Sequence, residues 1–324
     1  MLTDAKYDVV SLGELLIDFT QNGKSAQGNP LFEANPGGAP ANVLAMLRRL
    51  GRSCAFLGKV GADGFGALLS DTLRAEGIGI RGLRRDSEAH TTLAIVHTAD
   101  NGERDFSFYR RPGADVNLSA DELDCEALCS CRIFHFGSLS LTDEPVRTAT
   151  RQAVSKARES GALISFDPNL RPPLWQSEDA AREQIAWGLR QCDVLKIADN
   201  ELAFMTGETG LGRGAAALRA RFPNLKLLNV TAGAQGSCSF YRELRAYEPA
   251  CKLGGVIETT GAGDTFCACV LHFLLSHDVD VLTDANLHEM LRFANAAAYL
   301  VTTRRGALRS MPERAEIDAV LQKM

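Results

Sequence analysis

Short apolar runs alternate along the chain with longer stretches in which apolar residues recur at helical spacing. The short runs are residues 9–12, 54–57, 133–136, 163–166, 194–197 and 227–231. The helical stretches include residues 41–50, 65–76 and 146–160, together with a long C-terminal portion. Short apolar runs without strict alternation are typical of strands buried on both faces. The pattern therefore predicts an α/β fold in which helices cover both faces of a mostly parallel sheet.

Two segments interrupt this rhythm. Residues 17–31 and 91–109 have the pattern of hairpin-forming strands, and Asn101-Gly102 is a favoured two-residue hairpin turn. One interpretation is an ordinary antiparallel edge of the main sheet. The other is a small β lid, formed by inserted segments at about residues 15–34 and 88–112, over the carboxyl ends of the parallel strands, where open α/β sheets bind ligands.

Composition narrows the class of partner. The chain has 324 residues and a formal net charge of -5, with a pI near 5.8, which argues against nucleic acid or an anionic membrane and favours a small-molecule ligand. The longest apolar stretch, residues 266–275, is too short to span a bilayer. The N-terminus lacks the layout of a signal peptide. Nine cysteines, an odd number, are expected to be reduced structural thiols in a cytoplasmic protein.

A glycine motif suggests a dehydrogenase, but its context argues against one. Residues 77–82 match the G-x-G-x-x-G pattern of dinucleotide-binding proteins. That pattern must follow a strand and open a helix, so that the pyrophosphate lies at the helix N-terminus. Here the glycines follow a helical stretch, so a helix end and a turn are expected instead.

The most informative segment is residues 258–266, Glu-Thr-Thr-Gly-Ala-Gly-Asp-Thr-Phe. Gly261, Ala262 and Gly263 open a helix, where their backbone N–H groups can point at one anion while the helix dipole attracts it. Asp264 lies in the first turn. It could be an ordinary helix-start acid, but the small residues before it favour a base held beside a bound anion.

Seven stretches resemble one protein family in the family's own order. They are residues 13–18 (GELLID), 35–42 (NPGGAPAN), 56–63 (FLGKVGAD), 108–115 (FYRRPGAD), 165–171 (SFDPNLR), 231–236 (TAGAQG) and 261–264 (GAGD). The sequence resembles the ribokinase-like (pfkB) carbohydrate kinases over nearly its whole length, and most closely the bacterial and plant fructokinases.

The resemblance implies a single ribokinase-like domain over residues 1–324 that transfers a phosphoryl group from ATP to a sugar. Asp264 would be the general base, and the Gly261, Ala262 and Gly263 amides would bind the transferring phosphoryl oxygens. The substrate implied most strongly is fructose, at its 6-hydroxyl. 2-keto-3-deoxygluconate and aminoimidazole riboside are the alternatives, and a catalytically silent sugar- or nucleotide-binding regulator is the alternative of another class.

The resemblance also assigns binding residues. Those implied for the sugar are Asp18, Gly37, Gly38, Asn42, Arg110 and Arg171. Those implied for ATP are Asn169, Thr231, Gly233, Gly236 and Asn295. An Arg pair could also clamp a carboxylate, which would suit 2-keto-3-deoxygluconate.

Two departures from the family concern metal ions. Many relatives carry Asn-x-x-Glu near the magnesium site, whereas this chain has Ala198 in place of the Asn and keeps Glu201. Mg²⁺ is expected, held largely by phosphates and water, with Glu201 acting through water. Relatives usually have Asp where Glu258 stands, at one end of a monovalent-cation loop completed near residues 304–310, so K⁺ activation is an open alternative. A homodimer through the lid is a weaker expectation from the family.

Overall fold

The structure, a computed structural model, describes residues 5–98 and 104–324. Its strands are β1 (Tyr7–Leu12), β2 (Leu16–Lys24), β3 (Pro30–Gly37), β4 (Cys54–Gly61), β5 (Gly79–Asp86), β6 (Leu93–Thr98), β7 (Arg104–Tyr109), β8 (Cys131–Gly137), β9 (Leu163–Asp167), β10 (Val194–Ala198), β11 (Leu227–Thr231), β12 (Ser237–Tyr241) and β13 (Leu244–Glu248). Its α-helices are α1 (Ala39–Arg49), α2 (Gly64–Ala75), α3 (Cys125–Cys129), α4 (Val146–Glu159), α5 (Glu178–Gln191), α6 (Asp199–Thr206), α7 (Leu211–Arg221), α8 (Ala262–Leu274), α9 (Asp284–Thr302) and α10 (Arg314–Leu321).

The main sheet has the strand order β13-β12-β11-β10-β9-β8-β1-β4-β5 in the described part of the chain. From β11 to β5 every neighbouring pair is parallel, and β12 and β13 add an antiparallel hairpin at one edge. The predicted fold class is confirmed. The edge hairpin, over residues 237–248, was not predicted, because its strands are short and follow β11 after only a tight turn.

Helices cover both faces of this sheet and bury two separate cores. Helices α1, α2, α8, α9 and α10 contribute to one core, and α3, α4, α5, α6 and α7 contribute to the other. Consecutive strand residues therefore face different cores, as Leu163 and Ile164 do on β9. This alternation also places the side chains of Ser165 and Asp167 on the face that α8 covers.

The second sheet is a four-stranded lid, in the order β3-β2-β6-β7. Strand β2 is antiparallel to β3 and parallel to β6, and β6 and β7 form a hairpin. The predicted turn Asn101-Gly102 lies outside the described residues. Strand β3 runs to Gly37, beyond the predicted end of the first lid segment near residue 34, and leads directly into α1.

Three parts of the molecule meet at the carboxyl ends of the parallel strands: the base of the lid, the start of α8 and the ends of β1, β9 and β10. Together they position the site described below. All nine cysteines are free thiols. Among the described residues no helix has both the length and the apolar character needed to cross a lipid bilayer.

Candidate active site

A cavity of about 410 Å³ opens at the carboxyl ends of the parallel strands. Its polar lining comes from widely separated parts of the sequence: Glu14, Asp18, Asn42, Asn169, Arg171, Lys196, Thr259, Thr260 and Asp264. Glycines of the β3–α1 junction and of the start of α8 complete it, with Phe108 of β7 on the lid side. The cavity therefore brings together most of the residues that the sequence assigned to the sugar.

Asp264 is the third residue of α8 and is buried against α1. Asn42 donates a hydrogen bond to its carboxylate, with 2.8 Å between Nδ2 and Oδ2. Burial raises the pKa of Asp264 to about 6, helped by the Asp167 carboxylate and opposed by Asn42, Lys196 and Arg171. Such a carboxyl is ionised at neutral pH but basic enough to accept a proton.

The side-chain amide oxygen of Asn42 is buried next to Asp264 and has no hydrogen-bond partner among the described residues. Because a carboxylate only accepts hydrogen bonds, the amide must turn its NH₂ group towards Asp264. This leaves Asn42 Oδ1 buried without a hydrogen-bond partner among the described residues. An unpaired buried acceptor in the wall of a cavity fits a ligand that carries a hydroxyl donor.

Helix α8 begins at the cavity with its backbone exposed. Gly261, the residue before the helix, has a φ of 78°, in the left-handed region that favours glycine. The Ala262 N–H points to the Thr259 carbonyl at 3.3 Å. The N–H groups of Gly263 and Asp264 have no hydrogen-bond partner within the part of the chain that the structure describes. Together with the helix dipole they make this end of the helix attractive to an anion.

A buried ion pair that the sequence analysis did not identify lies beneath this helix start. Lys196 on β10 and Asp167 on β9 are 3.0 Å apart between Nζ and Oδ2. Both side chains are almost fully buried, and Lys196 still lines the cavity. The available signal was a lysine inside the apolar run Val-Leu-Lys-Ile, because a charged residue in a strand buried on both faces needs a partner.

Asp18 projects from β2, at the base of the lid. A Cβ atom on Gly37 would lie 2.4 Å from Asp18 Oδ2, so only glycine leaves room for this carboxylate. Burial raises the pKa of Asp18 to about 7, with Glu258 and Asp264 adding to the effect and Arg171 opposing it. Gly38, with a φ of 122°, lines the cavity at the start of α1.

Glu14 is the third carboxylate of the cavity, and the sequence motifs gave it no role. It is buried after β1, and its Oε1 accepts a hydrogen bond of 2.9 Å from the Ala39 N–H at the start of α1. Burial raises its pKa to about 7. Glu14 therefore holds the N-terminus of the helix that carries Asn42.

Arg110, which the sequence assigned to the sugar, is engaged by the protein instead. Its Nε donates to Asp115 at 2.7 Å, one terminal nitrogen donates to Thr142 Oγ1 and the other to the Leu139 carbonyl, both at 2.9 Å. The side chain is buried, beyond the residues that line the 410 Å³ cavity. Arg110 thus fixes the end of the lid, whereas Arg171 faces the cavity.

The loop after β9 carries Asn169 and Arg171 into the cavity. Asn169 has a φ of 45°, in the left-handed region. Glu201 holds this loop from below, because its two carboxylate oxygens accept hydrogen bonds from the N–H groups of Leu170, at 2.6 Å, and Ala198, at 2.8 Å. Glu201 is thus placed between the ends of β9 and β10, and both of its oxygens already have backbone partners.

A second cavity, of about 540 Å³, adjoins the first at Thr259 and extends to Gly233 and Asn295. The Asn295 amide donates to the carbonyls of Glu248 and Pro249 at 3.1 Å and accepts from Ser237 at 2.8 Å, so it shapes the cavity by fixing two loops. Thr231 ends β11 beside this region. Gly236 packs tightly against the backbone of residues 248–250.

The described residues contain no cluster of three His, Cys, Asp or Glu side chains that could hold a metal ion. Mg²⁺ needs no such cluster when phosphates and water supply most of its six ligands. Asp167 and Glu201, at the ends of β9 and β10, lie near the cavity but not in its lining, and both already have partners in the protein. These two carboxylates therefore fit an ion that is held mainly by phosphates and reached through its water ligands.

The comparisons with known proteins agree with this geometry. The pfkB family carbohydrate kinase model matches residues 6–314, and the chain belongs to this family. The family inferred from the sequence motifs is confirmed.

The relatives that the chain resembles include fructokinases. The chain is 43% identical to Fructokinase-1 of Zea mays over 318 residues, 97% of this chain and 98% of that protein. The crystal structure of fructokinase from Xylella fastidiosa with bound ATP has 31% identity and a TM-score of 0.88, covering 98% of this chain and 99% of the other. A fructokinase double mutant from Vibrio cholerae O395, bound to fructose, ADP and potassium ion, has 30% identity and a TM-score of 0.87, covering 99% and 100%.

Proposed function

We propose that the protein is an ATP-dependent fructokinase that converts fructose to fructose 6-phosphate. The observation that carries the proposal is the position of Asp264, a buried carboxylate beside unpaired N–H groups at a helix start, in a cavity shared with Asp18 and Asn42. Full-length similarity to fructokinases supports the choice of sugar.

In the proposed reaction Asp264 accepts the proton of the 6-hydroxyl as the sugar oxygen attacks the γ-phosphorus. A bond forms between that oxygen and phosphorus, the bond to the bridging oxygen breaks, and ADP leaves with the electron pair. The N–H groups of Gly263 and Asp264 and the α8 dipole stabilise the charge on the transferring oxygens. When bound with ATP, Mg²⁺ would neutralise phosphate charge, with Asp167 and Glu201 reached through its water ligands.

Asp18, Asn42 and Arg171 are the groups we assign to sugar hydroxyls. Asp18 accepts from two hydroxyls when ionised, and the unpaired Asn42 Oδ1 accepts from another. Gly37 leaves space for the Asp18 carboxylate. Gly38 lines the cavity and leaves space for the backbone of Glu14, because a Cβ atom there would lie 2.3 Å from the Glu14 carbonyl oxygen. Arg110 acts indirectly, by fixing the end of the lid.

We assign the 540 Å³ cavity to the adenosine of ATP, because it adjoins the start of α8, where the γ-phosphate must lie. Gly233 lines it, and Asn295, Thr231 and Gly236 hold the loops around it. Asn169 faces the first cavity and is therefore closer to phosphate or sugar than to adenosine.

The charge of the first cavity favours a neutral sugar over an acidic one. Glu14, Asp18 and Asp264 line it together with two cations, Arg171 and Lys196, and Lys196 is already paired with Asp167. An arginine clamp for the carboxylate of 2-keto-3-deoxygluconate would need Arg110 as well as Arg171. Arg110 is committed to Asp115, so the clamp is incomplete.

Three further assignments complete the proposal. The apolar residues Leu31 and Phe32 are exposed on β3, which supports a homodimer through the lid, and a monomer mass in solution at micromolar concentration would reject it. The cytoplasm is the compartment we propose, since it supplies ATP and keeps thiols reduced. Potassium activation is a proposal by analogy with the potassium-bound relative, to be tested by replacing K⁺ with Na⁺.

ADP release with MgATP, measured with and without fructose, tests the reaction, and phosphorus NMR of the product locates the new phosphate. We expect fructose-dependent ADP release and phosphate on O6. Fructose-independent ADP release, or phosphate on another oxygen, would contradict the proposal.

A further inference from the structure

We propose that Lys196 is a second catalytic residue of the phosphoryl transfer, whose ammonium donates to the oxygens of the transferring group, and that Asp167 positions it. The inference rests on the kinase function proposed above. It goes beyond the base and the helix start by assigning a charged donor next to them in the phosphoryl site.

The register of the sheet brings the two residues together. In the parallel pair β9–β10, Ser165 faces Val194 and Phe166 faces Leu195, so Asp167 and Lys196 are the next pair along. Both side chains point to the face covered by α8. On the neighbouring strand β8 the residue opposite Asp167 is Gly137, which leaves space beside the pair.

Lys196 retains donors for a ligand. Its ammonium donates to Asp167 Oδ1 at 3.2 Å, and the second oxygen of the same carboxylate is 3.0 Å from Nζ. An ammonium has three N–H donors, and Asp167 is its hydrogen-bond partner among the described residues. Because Lys196 lines the cavity, its remaining donors can reach a ligand bound there.

The ammonium lies directly against the first turn of α8. A Cβ atom built on Gly263 would be 2.9 Å from Lys196 Nζ, so any larger residue there would displace the ammonium or the helix. The unpaired N–H groups of Gly263 and Asp264 belong to the same turn. Helix start and lysine therefore converge on one small volume beside the proposed base.

Lys196 also stays charged in this volume. Burial alone would lower its pKa, but the carboxylates of Asp167, Glu201 and Asp264 outweigh burial and raise the pKa above the usual lysine value. A fixed cation in a site shielded from water stabilises charge that develops on a transferring phosphoryl group without reorganisation. Stability explains the pair less well, because a buried ion pair is often no better than apolar residues of the same volume.

The test compares Lys196→Met, which keeps the volume and removes the charge, with Lys196→Arg, which keeps the charge. Lys226→Met is the matched control, because Lys226 forms an exposed pair with Asp280 at the surface. We expect kcat of Lys196→Met to fall by ~10²- to 10³-fold, as for loss of one oxyanion donor. We expect Lys196→Arg to recover part of that loss, and Lys226→Met to match wild type.

A pH profile separates this role from a merely structural one. Lys196 lowers the pKa of Asp264, so Lys196→Met should also move the acidic limb of kcat to higher pH. Asp167→Asn keeps the ammonium but loosens it, and we expect a smaller loss of kcat than in Lys196→Met. Nucleotide affinity, measured by calorimetry, should change less than kcat in each variant.

Two further variants test the role of Lys196 if Lys196→Met does not fold. If Lys196→Met is insoluble, the double variant Lys196→Met/Asp167→Asn removes both buried charges and should show the same loss of kcat. Gly263→Ala keeps both charges and should lower kcat by displacing the ammonium. Retention of kcat within threefold of wild type in the uncharged variants would overturn the inference. Absence of turnover in wild type with every sugar would instead count against the proposed function.

Discussion

A carboxylate at a helix start is common, and what distinguishes Asp264 is its surroundings. It is buried, it accepts a hydrogen bond from Asn42, and its pKa is raised to about 6. An exposed N-cap acid would have none of these features. The environment of this residue therefore supports proton acceptance more than helix capping.

Replacing Asp264 with Asn should abolish most of the turnover. The amide keeps the size of the side chain but cannot accept the proton, and loss of a general base typically costs ~10²- to 10⁴-fold in rate. Steady-state kinetics and ATP binding by calorimetry measure the two effects separately. The base assignment fails if the variant keeps more than a tenth of the wild-type kcat.

The acid limb of kcat/KM for fructose should involve two protons. Asp264 and Asp18 have pKa values raised to about 6 and about 7, and both are assigned roles that need the ionised form. At saturating MgATP, log kcat/KM should be level above about pH 8 and should approach a slope of two below about pH 5. In Asp18→Asn the slope should fall to one. A wild-type rate that stays level down to pH 5 would contradict both assignments.

The Asp18 carboxylate should also lower the stability of the ligand-free protein at neutral pH. Its pKa is higher in the folded protein than in the unfolded chain, so the folded state binds more protons between about pH 4 and pH 7, and stability falls as pH rises through that window. Asp18→Asn should therefore raise Tm at pH 8 by about 2 °C or more, with the gain vanishing towards pH 4. Thermal unfolding without ligand measures it, and an equal Tm at pH 8 would be the contrary result.

At the residue scale the sequence placed some residues in the cavity correctly and missed others. Asp264 and Asp18 stand in motifs whose positions the fold brings together. Lys196 was missed because its partner, Asp167, is 29 residues away and becomes a neighbour only through strand register. Arg110 was assigned to the sugar because its sequence does not reveal that Asp115, Thr142 and Leu139 occupy its nitrogens.

The lid strands β2 and β3 are exposed at their outer ends. The last four residues of β2 and the first four of β3 are exposed, whereas the opposite ends are buried at the cavity. Segments with little burial open at low free energy. The lid should therefore be the part of the molecule that responds most to ligands.

Amide hydrogen exchange in β2, β3, β6 and β7 should slow when fructose and a non-hydrolysable ATP analogue bind together, because ligands fill the cavity at the base of the lid. Mass spectrometry of peptic peptides measures the change. The core strands β1 and β8 serve as the internal control and should not change. Lid exchange that is the same with and without ligands would count against closure.

Elements with strong periodicity were predicted well. Six of the parallel strands follow from the alternation of apolar runs and helical stretches, and the structure has them in one sheet with β5, which was not predicted. The edge hairpin β12–β13 was not predicted, because its five-residue strands give little periodic signal. Strand β3 is longer than predicted. Asn35, Pro36 and Gly37 lack a strand pattern in the sequence, and they pair with β2 only in the tertiary structure.

At the scale of the whole molecule, fold and charge act together. The lid, the carboxyl ends of the strands and α8 enclose a cavity lined by three carboxylates and two cations, Arg171 and Lys196, and Lys196 is already paired with Asp167. Arg110 lies outside this lining. Such a cavity should accept a neutral polyhydroxyl sugar and disfavour an acid. A site built for a carboxylate would instead reject neutral fructose strongly, because its buried cations would be left unpaired.

The most direct measurement is therefore the ratio of kcat/KM for fructose to that for 2-keto-3-deoxygluconate, with MgATP and an ADP-release assay. The proposed function predicts that fructose is the better substrate. A ratio that favours the acid by a hundredfold or more would contradict it.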